Sequence, residues 1–190
     1  MDRLLITHYY YPGTDPRKNI MNLPEEEAFR VAAELAATHS GKTSFGRFAD
    51  FENYYPCRKK ADAYVRETFI RLGGKPVLQH PYSFALAECE YLRKWFDAEN
   101  QIVLDLSDIP DDRISFTLGD SCALITQGRE PVVLTKGMLL DGIRDCGGSA
   151  EAFQEKNLAG AGYIEVQLWD KMEGFPEYRG TGKSGQEEKR

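Results

Sequence analysis

The sequence predicts an α+β fold: a single domain with a mostly antiparallel sheet and two principal helices near the N-terminal side. Two segments with helical periodicity lie within the first 75 residues, and a series of short apolar segments follows them. The chain lacks the regular alternation of strand and helix patterns that is typical of a doubly wound α/β sheet. Its 190 residues suffice for about one domain. We therefore expect residues 3–175 to form one globular domain.

The first two elements have recognisable boundaries. Residues 4–11 are rich in aliphatic and aromatic side chains and stop at Pro12 and Gly13, which predicts a first strand. A first helix is predicted from Pro24, because three glutamates follow it and apolar residues then recur at helical spacing. This helix is expected to end near Gly41.

A second helix is predicted to begin at Pro56 and to end at Gly73 and Gly74. An apolar stripe runs along this segment, and paired glycines are typical of a helix end. The preceding residues 43–55 carry several aromatic rings without a clear period, which predicts a long, partly packed loop.

The second half of the chain is predicted to supply most of the sheet. Short apolar segments predict strands near 76–79, 83–87, 102–106, 114–118, 131–135 and 163–169. Small helices are predicted at 91–96 and 138–145. Residues 176–190 have little apolar surface to bury, so we expect them to form a disordered tail.

Composition excludes several classes of protein. The net charge of -6 gives no overall basic field, so nucleic acid is expected at most as a weak or transient substrate. No apolar stretch reaches the roughly 20 residues that span a bilayer, and the start lacks a signal-peptide pattern. The four cysteines form no C-x-x-C pair, and the three histidines form no metal motif. We expect a reduced, cytoplasmic protein without membrane association or a bound metal.

The charge is unevenly distributed along the chain. Residues 46–75 hold seven Lys or Arg against four Asp or Glu, a local balance of +3. Arg58 and the free amides of a helix beginning at Pro56 would suit a small anionic ligand such as a phosphate or a nucleotide. The structural alternative is a solvated helix on which Arg58 pairs with Asp62 four residues later.

The same segment suggests a nucleophile. Cys57 would lie in the first turn of the Pro56 helix, where the helix dipole and neighbouring cations lower a thiol pKa. A cysteine-dependent hydrolase would also need a histidine beside Cys57 as its base, and a bystander thiol is the alternative.

Polar residues also occur at regular positions within three strands. Glu165 alternates with apolar neighbours, so it lies either on a solvated sheet face or in a cleft, where it could hydrogen-bond a ribose or stabilise a developing cation. Ser115 and Thr117 share one face of their strand, before a Gly-Asp-Ser sequence that is typical of a capped turn. His8 ends the first strand, where it could contact a ligand or be a partly buried structural histidine.

Several blocks resemble a widespread family of small bacterial proteins to which no activity is assigned. The resemblance covers most of residues 4–170. The matching blocks are Leu5–Tyr10, Tyr54-Tyr55 followed by Arg58, Phe69–Pro76, Trp95-Phe96, Ile114–Ser121 and Tyr163–Trp169.

Three shorter elements are similar to those of ADP-ribosyltransferase-like proteins, particularly the toxins that modify DNA. They are Thr7-His8 on an early strand, Tyr54-Tyr55 with Arg58 before a helix, and Glu165 on a late strand. The resemblance implies a split antiparallel sheet and NAD as substrate, with Glu165, His8 and Arg58 as catalytic residues in one cleft. It also implies that the groups binding NAD are Thr7, His8, Tyr9, Tyr54, Tyr55 and Arg58. 

A non-catalytic binding or adaptor protein is the alternative from another functional class. It would dock a partner through an aromatic and basic surface formed by residues 45–75. This hypothesis predicts exposed, contiguous aromatic rings without a deep pocket.

Overall fold

A computed structural model describes residues 3–96, 100–158 and 162–178. Its centre is one six-stranded sheet with the order β3-β1-β2-β6-β4-β5, in which every neighbouring pair of strands is antiparallel. The strands are β1 (Leu5–Tyr10), β2 (Tyr82–Leu86), β3 (Asn100–Asp105), β4 (Ile114–Leu118), β5 (Val133–Thr135) and β6 (Ile164–Leu168). The predicted α+β class with a mostly antiparallel sheet is confirmed.

The helices surround this sheet. They are α1 (Glu25–Thr38), α2 (Gly46–Ala49), α3 (Phe51–Arg71), α4 (Glu90–Trp95), α5 (Ser121–Thr126), α6 (Lys136–Asp145) and α7 (Ala150–Asn157). The two longest, α1 and α3, are both N-terminal, as the sequence predicts. The short helices α5 and α7 escaped prediction; side-chain oxygens of Asp120 and Ser149 cap their N-termini.

The number of paired residues differs between neighbouring strands of the sheet. β1 pairs with β3 along its whole length, from Leu5 opposite Asp105 to Tyr10 opposite Asn100. Between β1 and β2 the register contains the single pair Thr7 and Ala85. The sheet is therefore continuous, but its two halves are held together most weakly between β1 and β2.

The two faces of the sheet differ in character. One face packs on α6 and α7 to form the main apolar core, which includes Phe84, Phe116, Val166, Leu139 and Phe153. The opposite face carries polar residues such as Glu165 and Gln167 and is buried as well. Arg58 of α3 reaches this second face, which therefore contains the polar residues predicted in the strands.

The prediction of a loop over residues 43–55 is wrong. This stretch holds a 3-10 turn (Thr43–Phe45), α2 and the beginning of α3. Its aromatic rings have no simple period because they pack into a second core with α1, around Met21, Ala28 and Ala32. Burial of these rings stabilises local structure that periodicity does not indicate.

The predicted start of the second helix at Pro56 is also wrong. α3 begins at Phe51, and Pro56 lies inside it. A proline lacks the amide hydrogen needed for one helical hydrogen bond. The helix nevertheless continues through it, since Phe51 and Tyr55, which both precede the proline, are buried in the second core. Cys57 and Arg58 are consequently not in a first turn, and the amides proposed to bind an anion there are not free.

Two smaller expectations are corrected at the edges of the fold. Residues 76–79 form no strand; the amides of Val77 and Leu78 donate to the carbonyl of Trp169. The tail prediction fails for its first residues, because Glu177 bridges Leu104 and the amide of Tyr178 donates to the carbonyl of Val103 at 2.7 Å. The remainder of the predicted tail, 179–190, lies outside the described residues.

Within the described ranges, no helix has the length and apolar character to cross a membrane. The same residues contain no group of three or more His, Cys, Asp or Glu side chains arranged to hold a metal ion.

Candidate functional site

A polar row crosses the sheet on the face beneath α3. Thr7 is opposite Ala85, Ala85 is opposite Glu165, and Glu165 is opposite Thr117. Residues paired across antiparallel strands project to the same face. Thr7, Thr117 and Glu165 are all at most 2% exposed, so this face is a buried polar layer and not the solvated face that alternation also allowed.

Glu165 is the centre of this layer, and both of its carboxylate oxygens are held. Oε2 accepts the backbone amide of Ser121 at 2.8 Å. The Thr117 hydroxyl lies 3.4 Å from Oε2 and donates its proton to the Gly119 carbonyl at 2.9 Å. Oε1 accepts the Ser83 hydroxyl at 3.1 Å and Nη1 of Arg58 at 3.3 Å. Burial alone would raise the pKa of Glu165, but the charge of Arg58 and the hydrogen bond from the Ser121 backbone amide hold it below its usual value. Glu165 is therefore an ionised carboxylate in a buried setting.

Arg58 connects Glu165 to a second buried carboxylate. Its Nε lies 2.8 Å from Oδ1 of Asp62, and its Nη2 donates to the Ser83 hydroxyl at 2.9 Å. The predicted pairing of Arg58 with Asp62 along the helix is present. It is not solvated, because Asp62 is 2% exposed and the Arg58 side chain 11%. Burial opposes the charge of Arg58, yet Asp62 and Glu165 raise its pKa well above the usual value.

The hydrogen-bonded chain continues past Asp62 to His80. Nδ1 of His80 lies 2.7 Å from Oδ2 of Asp62, and both residues are buried. Asn22 clamps the His80 backbone, accepting its amide at 3.1 Å and donating to its carbonyl at 2.9 Å. Asp62 thus holds Arg58 on one oxygen and His80 on the other, which fixes the guanidinium beside Glu165.

Ser121, the first residue of α5, contributes the one unsatisfied group of this layer. Its side-chain oxygen is buried and has no hydrogen-bond partner within the described parts of the chain. Its amide binds Glu165, so the orphaned hydroxyl belongs to the residue that holds the carboxylate. Leaving a buried hydroxyl unpaired costs about 1–3 kcal/mol.

Asp120 borders the same position. One of its oxygens accepts the Ala123 amide at 2.9 Å and caps α5, which agrees with the capping function predicted for the Gly-Asp-Ser sequence. The other accepts the Tyr163 hydroxyl at 3.2 Å. Burial and the nearby charge of Glu165 raise the pKa of Asp120. Two carboxyl groups with opposite pKa shifts therefore lie beside Ser121, an arrangement typical of acid and base pairs.

The neighbouring polar residues Ser115 and Gln167 have a structural explanation. The Ser115 hydroxyl donates to Gln167 at 2.9 Å, and Gln167 donates to the Thr117 hydroxyl at 2.9 Å. Trp169 Nε1 donates to Ser115 at 2.8 Å. This part of the layer is internally satisfied and offers nothing to a ligand.

The expectation that His8, Arg58 and Glu165 line one cleft is corrected at His8. Adjacent residues of a strand project to opposite faces, and Thr7 occupies the face of Glu165. The His8 ring lies 5.2 Å from the Phe84 ring on the apolar side, and its Nδ1 bonds the Ser83 carbonyl at 2.7 Å. Burial lowers its pKa. His8 is a partly buried structural histidine, which was the alternative for this residue.

The predicted tyrosines are distributed over three places. Tyr54 lies near Arg58, and burial raises its pKa while the charge of Arg58 opposes that shift. Tyr55 is buried in the second core against Phe29. Tyr9 is buried on the Glu165 face, and its hydroxyl accepts the Cys89 amide at 2.7 Å. Only Tyr54 of the three is close to the Arg58 and Glu165 pair.

Cys57 does not have the environment predicted for a hydrolase nucleophile. Within the described chain its sulfur contacts the Cys122 thiol at 3.4 Å, the Cys122 carbonyl at 3.8 Å and the Thr126 hydroxyl at 3.0 Å, and none of these partners is a histidine. The first part of the surface 45–75 that the adaptor hypothesis requires is buried. Phe45, Phe48 and Phe51 are at most 9% exposed, and the aromatic rings of residues 45–55 form a core instead of a docking patch.

Two surface cavities adjoin outlying residues of this site, Thr7 and His80. One of about 600 Å³ is lined by residues including Leu4, Thr7 and Tyr178. Another of about 390 Å³ is lined by His80, Lys59 and Tyr55. Neither lining includes Arg58 or Glu165. Arg58 instead contacts the Glu165 carboxylate directly, at 3.3 Å.

Comparison of the chain with protein-family models, with curated proteins and with solved structures found no match.

The sequence did not predict that Ser83 and Tyr163 belong to the Glu165 layer, or that Asp62 positions Arg58 there. Tyr163 is predictable from strand alternation, because it precedes Glu165 by two residues and so lies on the same face. No local pattern indicates Ser83, since its contact with Glu165 depends on the pairing of two strands far apart in sequence.

Proposed function

We propose that this protein is an ADP-ribosyltransferase-like enzyme that binds NAD at the Glu165 layer, with Arg58 and Glu165 as its central residues. The observation that carries the proposal is the meeting of Arg58 and Glu165 at 3.3 Å, beside the unpartnered hydroxyl of Ser121. The resemblance to ADP-ribosyltransferase-like proteins, which implies these two residues in one cleft, supports the proposal. Tyr54 remains a candidate NAD contact, whereas His8 is left out because it lies on the other face.

Glu165 has the properties that the reaction requires of its carboxylate. Transfer of ADP-ribose breaks the bond between the ribose and nicotinamide, and positive charge develops on the ribose as the nicotinamide leaves. A fixed, ionised carboxylate in a buried site stabilises such a charge more strongly than it would in water. Its rigid strand and the donors of Arg58, Ser83 and the Ser121 amide hold Glu165 in place before the substrate arrives.

Arg58 has the geometry to receive the pyrophosphate. Asp62 holds it through Nε, so both terminal nitrogens project toward Ser83 and Glu165. The Arg58 contact with Glu165 is the longer of its two ion pairs, 3.3 Å against 2.8 Å. Phosphate oxygens would compete with Glu165 for the guanidinium fork, and movement of Arg58 toward them would open the carboxylate to the ribose.

The Ser121 hydroxyl supplies an unused hydrogen-bonding group at the same place. Buried polar groups are nearly always paired, and an unpaired one calls for an explanation. A ribose hydroxyl bound to Glu165 would give Ser121 its partner. Removing this hydroxyl should therefore weaken NAD binding without destabilising the free protein.

The test measures NAD-dependent thermal stabilisation and release of nicotinamide by the full chain. We expect NAD to raise the Tm, because a ligand that binds only the folded state stabilises it. Glu165→Gln should lower nicotinamide release by roughly 100-fold or more, the loss typical for a group that stabilises charge in a transition state. The matched control Glu155→Gln removes an exposed carboxylate and should leave the rate unchanged.

Ser121→Ala separates ligand binding from folding. It should keep or slightly raise the Tm of the free protein and reduce the Tm shift that NAD produces. The proposal fails if NAD does not shift the Tm of the wild-type chain and the wild-type chain releases no nicotinamide from NAD. It also fails if Glu165→Gln, folded by circular dichroism, retains full activity.

A further inference from the structure

We propose that Cys57 and Cys122 are a dithiol that a hydroperoxide oxidises to a disulfide linking α3 to α5. The two sulfur atoms lie 3.4 Å apart, although the residues are 65 positions apart in the chain. All four cysteines are free thiols in the structure. This inference rests on the packing of the two helices and does not depend on the proposed activity.

The geometry favours this pair over other pairings of the four cysteines. A disulfide has an S–S bond of about 2.0 Å, so the sulfurs must approach each other by about 1.4 Å. That movement is within reach of small side-chain rotations and a slight shift of the short helix α5. Cys89 packs instead beside Tyr9, and Cys146 packs against the main core.

The environments of the two thiols suggest an order of reaction. Burial and the hydrogen bond with Cys57 raise the pKa of the Cys122 thiol to about 12. Thiolates and not thiols attack peroxides, which disfavours Cys122 as the first to react. Cys57 is partly exposed and so accessible to a small oxidant.

The chemistry balances with a hydroperoxide as the only co-reactant. The Cys57 sulfur attacks one peroxide oxygen; an S–O bond forms, the O–O bond breaks, and with hydrogen peroxide the leaving group becomes water. The Cys122 sulfur then attacks the Cys57 sulfenic acid; the S–S bond forms, the S–O bond breaks, and the departing hydroxide takes the Cys122 proton as a second water. Each sulfur has lost one electron, and the peroxide has gained two.

The disulfide would lie next to the candidate site. Cys122 directly follows Ser121, whose amide donates to Glu165 at 2.8 Å. Cys57 directly precedes Arg58, the other partner of Glu165. A bond between these cysteines would therefore tie together the two helical segments that hold the carboxylate.

The experiment uses the full reduced chain, treated with a small excess of hydrogen peroxide and then with iodoacetamide. Peptide mapping by mass spectrometry should find a crosslinked pair that contains Cys57 and Cys122, while Cys89 and Cys146 are alkylated. Dithiothreitol should reverse the crosslink, and the oxidised chain should show a higher Tm than the reduced chain, since a crosslink restricts the unfolded chain.

Variants provide the controls. The double variant Cys89→Ser with Cys146→Ser should form the crosslink to the wild-type extent, whereas Cys57→Ser and Cys122→Ser should each abolish it. Alkylation of both Cys57 and Cys122 after oxidation of the wild-type chain would overturn the proposal. A crosslink between other cysteines, or between two chains, would overturn it equally.

Discussion

The contribution of the Arg58 ion pairs to stability depends on their burial. It lies between two carboxylates that are each 2% exposed, at 2.8 Å from Asp62 and 3.3 Å from Glu165. On the surface of a helix such an ion pair contributes under about 1 kcal/mol. In a buried layer, removing Arg58 leaves Asp62 and Glu165 as buried charges without a counterion, which is strongly unfavourable.

Arg58→Met should therefore destabilise the fold by about 3–5 kcal/mol at pH 7, measured by urea unfolding. Arg30→Met is the matched control: Arg30 pairs with Glu34 at 2.7 Å on the exposed face of α1, so its loss should cost less than about 0.5 kcal/mol. Equal losses in the two variants would contradict the buried ion-pair network.

The pH dependence of this variant has a defined sign. The pKa of Glu165 is lowered in the folded state, so its ionisation stabilises the protein above its usual pKa and less as the pH falls. Without Arg58 the carboxyl group loses this advantage and is more easily protonated. The difference in unfolding free energy between Arg58→Met and the wild type should therefore shrink from pH 7 to pH 4.

At the scale of elements, α3 connects three separate environments. Its first turns place Phe51 and Tyr55 in the second core, and its middle places Arg58 on the polar sheet face. Its C-terminal half packs Val65 and Phe69 against Trp169. Because of this division, a single apolar stripe is visible only in the second half of α3. The start of the helix was therefore predicted five residues too late.

The α6 and α7 pair provides a matched test of close packing. A Cβ atom at Gly142 of α6 would lie 2.4 Å from the ring of Phe153 on α7, and Phe153 is buried. Gly142→Ala should destabilise the protein by about 1–3 kcal/mol, because the ring must move in a filled core. At Gly137 of the same helix, the nearest atom would be 3.9 Å away.

Gly137→Ala is accordingly the control and should be neutral or stabilising by up to about 1 kcal/mol, since alanine restricts the unfolded chain. Thermal unfolding of both variants gives the comparison. Gly142→Ala with a Tm at or above that of Gly137→Ala would show that the contact between α6 and α7 is not as described.

At the scale of the whole molecule, segments from both ends of the chain meet at β3. β1 pairs with β3 over its full length, and Glu177 and Tyr178 add contacts on β3 at Leu104 and Val103. Arg17 forms an ion pair with Glu177, which ties the C-terminal segment to the loop after β1. Folding of the sheet edge therefore depends on residues that local composition assigns to a tail.

A chain ending at Phe175 should be less stable than one ending at Tyr178 by about 1–2 kcal/mol, the value of one or two hydrogen bonds. Urea unfolding of the two truncated chains measures this difference directly. Identical midpoints and slopes would mean that Glu177 and Tyr178 contribute no stability to the edge.

Local patterns in the sequence determine the α+β class, the position of β1, most later strands and the extent of α1. They also determine which residues share a face, so the pairing of Arg58 with Asp62 follows from their spacing along one helix. The alternation around Glu165 likewise determines its neighbours on the strand. These properties are predictable because they depend on residues only two to four positions apart.

Only the tertiary structure decides which of those faces are buried and what meets there. It places Glu165 under Arg58, 107 residues away, puts Cys57 beside Cys122, and turns His8 to the apolar side. It also converts the aromatic segment 43–55 from an expected loop into a second core. The physical reason is that burial results from packing between distant segments, and that packing sets the solvation, charge and partners of each group.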